Sequence, residues 1–153
     1  VVAGVTLHIG FTGTRYGMTA EQGAAVDDLV AELFGDVVAH HGMCVGADEE
    51  FHEICRARGC RIIGHPGPDW PDGQWCAYTI CGEVLAPMPH MKRNRAIVEA
   101  SNVMIAAPFE DTERNRGGTW ATYKMARQAL KRGTLSSLYV VWRDGRRQEW
   151  PRP

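Results

Sequence analysis

A chain of 153 residues, 44% hydrophobic and 23% charged, has the composition of a globular protein and suits one domain, 1–153, built on one core; nothing in it suggests disorder. Its 17 basic and 18 acidic residues give a net charge of −1, without the electrostatic footprint of a general nucleic-acid binder. No apolar run reaches bilayer length and the N-terminus, which starts at Val1, lacks the plan of a secretory signal, so a cytoplasmic location is expected. Five cysteines, an odd number, argue for reduced thiols. Cys55/Cys60 and Cys76/Cys81 lack zinc-knuckle spacing, and no metal or other cofactor is expected.

In chain order, Thr6–Phe11 reads as a short buried strand, and Ala20–Phe34 as a helix with Val26, Leu29, Val30 and Leu33 on one face. Between them lies Phe11-Thr12-Gly13-Thr14-Arg15-Tyr16-Gly17-Met18-Thr19. Gly13 and Gly17 permit a tight turn, and Thr19 with Gln22 has the form of a capping box. Exposed amides at such a turn attract anions, and Arg15 adds a fixed positive charge, so a phosphate is the expected guest. Gly35 stands where a helix cap is expected. Val37–His40 reads as a second strand, Gly42–Asp48 as a second glycine-bearing loop, Glu49–Arg58 as a helix stopped by Gly59, and Cys60–Gly64 as a third strand.

Residues 65–91 are rich in proline, glycine and aromatics, including Trp70, Trp75 and Tyr78. A lid-like insertion (about 66–91) and a surface excursion with a short extra element are both consistent with this composition. Lys92–Ser101 reads as a helix, Asn102–Ala107 as a fourth strand, 109–118 as a polar loop, Thr119–Arg132 as a helix closed by Gly133, and Leu138–Trp142 as a fifth strand. Residues 143–153 form a polar tail or a short hairpin. Strict alternation predicts an α/β, Rossmann-like three-layer domain: a five-stranded parallel sheet with helices on both faces. With the first strand central, the ligand crevice lies between the loops at Gly13 and Gly118, where two helix N-termini converge with Arg15 and Arg93.

The motifs Gly13-Thr14-Arg15, His41–Asp48, Lys92–Ile97 and Gly118–Thr122, in this order from about Leu7 to about Trp142, resemble the SLOG superfamily. That group includes the DNA-processing protein A family and the lonely-guy (LOG) nucleotide phosphoribohydrolases. The LOG pattern carries a catalytic glutamate where this chain has Thr122, and a loop is inserted between Pro108 and Gly117-Gly118. The hydrolase implied by that branch would need a carboxylate from the inserted loop: Glu110, Asp111 or Glu113. The DNA-processing branch fits better, through Gly13, Thr14 and Arg15, Arg93-Asn94-Arg95, and Gly118, Thr119 and Thr122. In that family such residues hold single-stranded DNA without cleaving it.

The resemblance therefore implies a binding module for a nucleotide or nucleotide-derived phosphate. The expected ligand residues are Gly13, Thr14, Arg15, Gly46, Asp48, Arg93, Arg95, Gly117, Gly118, Thr119 and Thr122. Alternatives are an N-glycosidic-bond hydrolase and a single-stranded DNA binder. Asp48 serves equally as a helix N-cap, Trp120 as a stacking or a packing residue, and His40 and His41 as ligand contacts or structural groups. His65 and His90 carry no assigned role. SLOG relatives commonly pair, and the aromatic segment offers apolar area, so a homodimer is expected.

Overall fold

The structure, a computed structural model, describes residues 4–33, 35–77 and 82–151. Val1, Phe34, Tyr78, Cys81 and Pro153, which figure in the sequence reading, lie outside the described residues.

Strand β1 (Thr6–Gly13) is central, with Leu7, Ile9 and Phe11 on one face and the small Gly10 where the second helical layer packs. It pairs in parallel with β2 (Asp36–His41) on one side and β5 (Val103–Ala107) on the other. Outward from β2 come β3 (Arg61–Gly64) and the two-residue β4 (Glu83–Val84); outward from β5 come β6 (Ser137–Val141) and β7 (Arg147–Trp150). The order β4-β3-β2-β1-β5-β6-β7 reverses between β1 and β5.

The expected sheet of five parallel strands is thus corrected to a mixed sheet of seven. Strand β7 runs antiparallel to β6 because Asp144-Gly145 supports a tight return: the Gly145 N–H donates to Trp142 O, the Trp142 N–H donates to Arg146 O, and Gly145 takes φ 87°. Of the two readings of 143–153, the hairpin is the one the structure takes. Strand β4 lies inside the proline-rich segment and pairs in parallel with Ile63 and Gly64.

Helices α1 (Ala20–Glu32) and α2 (Ala47–Ala57) cover one face, where Ile9, Phe11, Val26, Leu29, Phe51 and Ile105 form one apolar cluster. Phe11 stacks on Phe51 at 4.3 Å between ring centres. Helices α3 (His90–Ala100) and α4 (Gly118–Arg132) cover the other, around Ile97, Met104, Trp120, Ala126 and Leu138. Gly10 permits this second layer to close, since a Cβ there would stand 2.3 Å from both Met104 Sδ and Ser101 Oγ.

The Thr19/Gln22 capping box opens α1 as expected, and the same Gln22 is fully buried, its Nε2 donating to Pro108 O (2.9 Å) and Val141 O (2.8 Å). One side chain thus ties the start of α1 to the C-terminal ends of β5 and β6. Helix α1 ends earlier than its spacing suggests, with Leu33 as C-cap, and Gly35 follows at φ 123°. Among the described residues no helix is long and apolar enough to cross a membrane.

Candidate functional site

The strand-order reversal opens a cleft of about 560 Å³ beyond the C-terminal ends of β1 and β5, the place where open α/β sheets take ligands. The first loop, the α4 N-terminus and the start of α3 form its walls, with Trp75 from the long segment at its rim.

The first loop is organised around Thr14. Its buried carbonyl accepts N–H bonds from Ala47 (2.9 Å) and Gly17 (3.2 Å), its hydroxyl accepts from Tyr16 N (3.1 Å), and its own N–H donates to Ala107 O (3.0 Å). Met18 N donates to Glu50 Oε1 (2.7 Å). The expectation of exposed amides across this turn is therefore corrected: those of Thr14, Tyr16, Gly17 and Met18 are spent on the protein itself. Gly13 and Gly46 serve close approach. A Cβ on Gly13 would meet Ala47 Cβ at 2.6 Å, and one on Gly46, at φ 89°, would meet Arg15 O at 2.4 Å. Gly13 and Thr14 line the cleft, whereas Gly46 supports it from beneath.

Open amides stand instead at α4. Its N-cap, Gly117, has φ 113° and no side-chain cap, and Gly117, Gly118 and Thr119 line the cleft. A helix of this length with an uncapped first turn presents partial positive charge to whatever lies before it. Arg15 adds a full charge. It is exposed, its Nη2 donates to the Tyr16 hydroxyl (3.2 Å), and its guanidinium carbon lies 4.0 Å from the Trp75 ring centre. Among the described residues no carboxylate forms an ion pair with it. Arg116 also lines the cleft. Tyr16 and Phe109 meet edge to face at 5.3 Å, and Tyr16, Phe109 and Trp75 are 64%, 46% and 43% exposed, an aromatic rim beside the cationic groups.

Arg93 reaches the cleft wall but is buried and largely engaged. Its Nη1 donates to Gly42 O (2.6 Å) and His65 O (3.2 Å), its Nε donates to Asn94 Oδ1 (2.7 Å), and its Nη2 lies 3.3 Å from His90 Nδ1. It clamps the ends of β2 and β3. Asp48 sits in the first turn of α2, past the N-cap Gly46, and its Oδ2 accepts the N–H groups of Gly42 (3.1 Å) and Cys44 (3.2 Å). Burial pushes its carboxyl up to about 6, partly opposed by those backbone bonds and by Arg93. Arg95 is exposed on α3 and does not line the cleft.

Thr122 is buried at the cleft wall, its hydroxyl donating to Gly118 O (2.9 Å). Of the three loop acids, Glu110 lines the cleft, its Oε1 accepting from Trp120 Nε1 (2.6 Å), whereas Asp111 and Glu113 are exposed and do not. Trp120 is buried against Tyr123 and Trp142, so packing is its main role.

Five of the six histidines meet one another in two largely buried sets. His40 bridges His8 (2.8 Å) and His65 (2.9 Å), and His41 bonds His52 (2.9 Å) on the opposite face. Burial lowers His40 and His41 to about 3 and His65 to about 4, so all three are neutral at pH 7. They are structural groups. Among the described residues no set of three or more His, Cys, Asp or Glu side chains is placed to hold a metal ion.

A wider groove of about 910 Å³ lies between α1 and α2, but Asp27, Glu49, Glu50 and Glu53 line it, a charge that repels phosphate. Sequence reasoning missed Tyr16, Phe109 and Arg116 as cleft residues. Exposed aromatics flanking two glycine-bearing loops were the available signal.

Fold and cleft together define a Rossmann-like α/β domain with a cationic, aromatic-rimmed crevice at its topological switch point. No family model and no curated protein sequence matches the chain. Among solved structures it is similar to a molybdenum cofactor binding protein from Rippkaea orientalis, with 18% identity and TM-score 0.61, covering 92% of this chain and 77% of that one. It is similar to DNA processing protein A from Streptococcus pneumoniae, with 18% identity and TM-score 0.60, covering 90% of this chain and half of that one. DNA processing protein A from Helicobacter pylori, described in a single-stranded DNA binding mode, gives 14% identity and TM-score 0.50, covering 84% and 74%. The fold expected from the SLOG resemblance is thus the fold of these proteins.

Proposed function

We propose that the cleft binds a nucleotide or nucleotide-derived phosphate. The observation that carries this is the meeting, in one cleft, of the uncapped α4 N-terminus with an Arg15 that has no carboxylate partner among the described residues. Phosphate oxygens accept from the Gly118 and Thr119 amides and pair with Arg15, while a planar base lies against the rim of Tyr16, Trp75 and Phe109. Gly13, Thr14, Gly46, Asp48 and Thr122 shape this site, and Arg93 holds its base. Similar proteins named as binders of a molybdenum cofactor or of single-stranded DNA are consistent with a phosphorylated, ring-bearing ligand. The net charge of −1 favours a small molecule over a DNA strand.

The experiment is calorimetry with a panel of nucleoside mono-, di- and triphosphates and a short single-stranded oligonucleotide. Binding of at least one nucleotide, stronger than that of the parent nucleoside, supports the reading; binding of the oligonucleotide alone moves it to DNA.

A second reading, hydrolysis of an N-glycosidic bond, is favoured by one observation, the Trp120–Glu110 bond that fixes a carboxylate in the cleft wall. Base release from the same panel, followed by chromatography, decides between binder and hydrolase. Pairing into a homodimer belongs to the same proposal; light scattering giving a mass of 17.0 kDa at micromolar concentration contradicts it.

A further inference from the structure

The long segment is fastened to the second glycine-bearing loop by two backbone bonds. The Val45 N–H donates to Trp75 O (2.9 Å) and the Ala77 N–H donates to Met43 O (2.8 Å), and between them Cys44 and Cys76 stand opposite each other as an isolated antiparallel bridge. Bonds at the positions before and after a facing pair define the non-hydrogen-bonded kind, in which Cα atoms are about 4.5 Å apart and the side chains are closest. Disulfides span Cα separations of about 4.4–6.8 Å, a range that includes facing pairs of this kind. Both thiols are free and partly exposed, with Cys44 at the cleft wall and Cys76 next to Trp75.

We propose that Cys44 and Cys76 form a reversible disulfide that ties the loop carrying Trp75 to the cleft wall, with a low-molecular-weight disulfide, RSSR, as the oxidant. The Cys76 thiolate attacks one sulfur of RSSR; a Cys76–SR bond forms, the RS–SR bond breaks, and RS⁻ leaves and takes up a proton. Cys44 then attacks Cys76 Sγ, the Cys76–SR bond breaks, and the second RS⁻ leaves. The Cys44 Sγ–H, which donates to Gly42 O at 3.6 Å before the step, loses its proton to the solvent of the cleft that Cys44 lines. Two thiols are oxidised and one RSSR is reduced to two RSH.

Cys76 attacks first because it adjoins the exposed rim. Cys44 does not, because burial and the neighbouring Asp48 push its thiol up to about 12. The other close pair, Cys55 and Cys60, lies at the far end of α2 from the cleft, with Cys55 fully buried. One consequence, that the bond fixes Trp75 over Arg15 and so alters ligand affinity, rests on the nucleotide reading of the cleft; formation of the bond does not.

The test treats the whole chain with glutathione buffers of graded ratio, alkylates the remaining thiols and maps peptides without reduction. The expected result is a linked Cys44–Cys76 peptide, a loss of two reactive thiols from five, and full reversal by excess reduced glutathione. In Cys44→Ser the expected product is Cys76 held as its mixed disulfide with glutathione, and in Cys76→Ser Cys44 stays free. A link from either residue to Cys81, a Cys55–Cys60 bond with Cys44 and Cys76 still free, or no oxidation across the series overturns the proposal.

Discussion

The Arg15 guanidinium sits over Trp75 with its carbon 4.0 Å from the ring centre, joining the first strand-to-helix loop to the proline-rich segment. The stack orients a charge that no carboxylate among the described residues neutralises, at the mouth of the cleft. Arg15→Ala therefore weakens nucleotide binding by about 1.5–3 kcal/mol, the range for a charge-assisted bond. Trp75→Ala weakens it by about 0.5–1 kcal/mol through loss of orientation. Both side chains are exposed, so the melting temperature of either variant stays close to that of the wild type. Calorimetry and thermal unfolding on the same samples check both statements.

Arg93 has the opposite character. Removing its buried guanidinium leaves His65 O without its donor and Gly42 O with only the weak Cys44 thiol at 3.6 Å, so Arg93→Ala destabilises the fold by about 3 kcal/mol. Arg93→Lys recovers only part of this, since one ammonium cannot reproduce the planar fork. Denaturant unfolding reads the effect; an unchanged midpoint with lost ligand binding would make Arg93 a ligand residue instead.

The fold as far as β6 was legible because its signals are local: apolar periodicity, glycine stops, and the Thr19/Gln22 cap. The two extra strands were legible only as alternatives, a short extra element within 65–91 and a hairpin in 143–153. Strand β4 is two exposed residues, too short for any period, and β7 is polar, identified only through the Asp144-Gly145 return. Within the cleft, glycine loops predicted where the backbone turns, but not which amides would remain open. That depends on Thr14, whose carbonyl and hydroxyl are taken up by Ala47, Gly17 and Tyr16. Nor could spacing reveal that Arg93 points into backbone carbonyls, because the partner His65 comes from a different strand end.

Acid stability follows from the buried imidazoles. His40, His41 and His65 titrate at about 3, 3 and 4 in the folded chain, against about 6.5 when unfolded. Their folded values are lowered, so below about 6.5 the unfolded state binds more protons and stability falls with pH down to about 3. Asp48 acts in the other sense, since its raised value of about 6 binds a proton in the folded state between roughly pH 4 and 6. The lowered histidines, His52 among them, outweigh Asp48, so near pH 5 unfolding takes up protons net. The slope of unfolding free energy against pH checks this, and His40→Asn lowers it by about one proton.

Thr122 and Glu110 separate the two chemical readings. Thr122→Val deletes only a hydroxyl bonded back to Gly118 O, so it leaves nucleotide affinity within about 0.5 kcal/mol and the fold intact. Glu110→Gln keeps an acceptor for Trp120 Nε1 and removes the charge. On the binding account neither wild type nor variant releases base from a nucleotide; chromatographic base release by wild type that Glu110→Gln abolishes would assign Glu110 to catalysis.

The most direct test of the account compares one nucleoside monophosphate with its unphosphorylated nucleoside, by calorimetry, on wild type and Arg15→Ala. The expected result is that the nucleotide binds wild type more tightly than the nucleoside does, and that Arg15→Ala removes most of that difference. Equal affinity of nucleotide and nucleoside for wild type, or a phosphate preference untouched by Arg15→Ala, would contradict it.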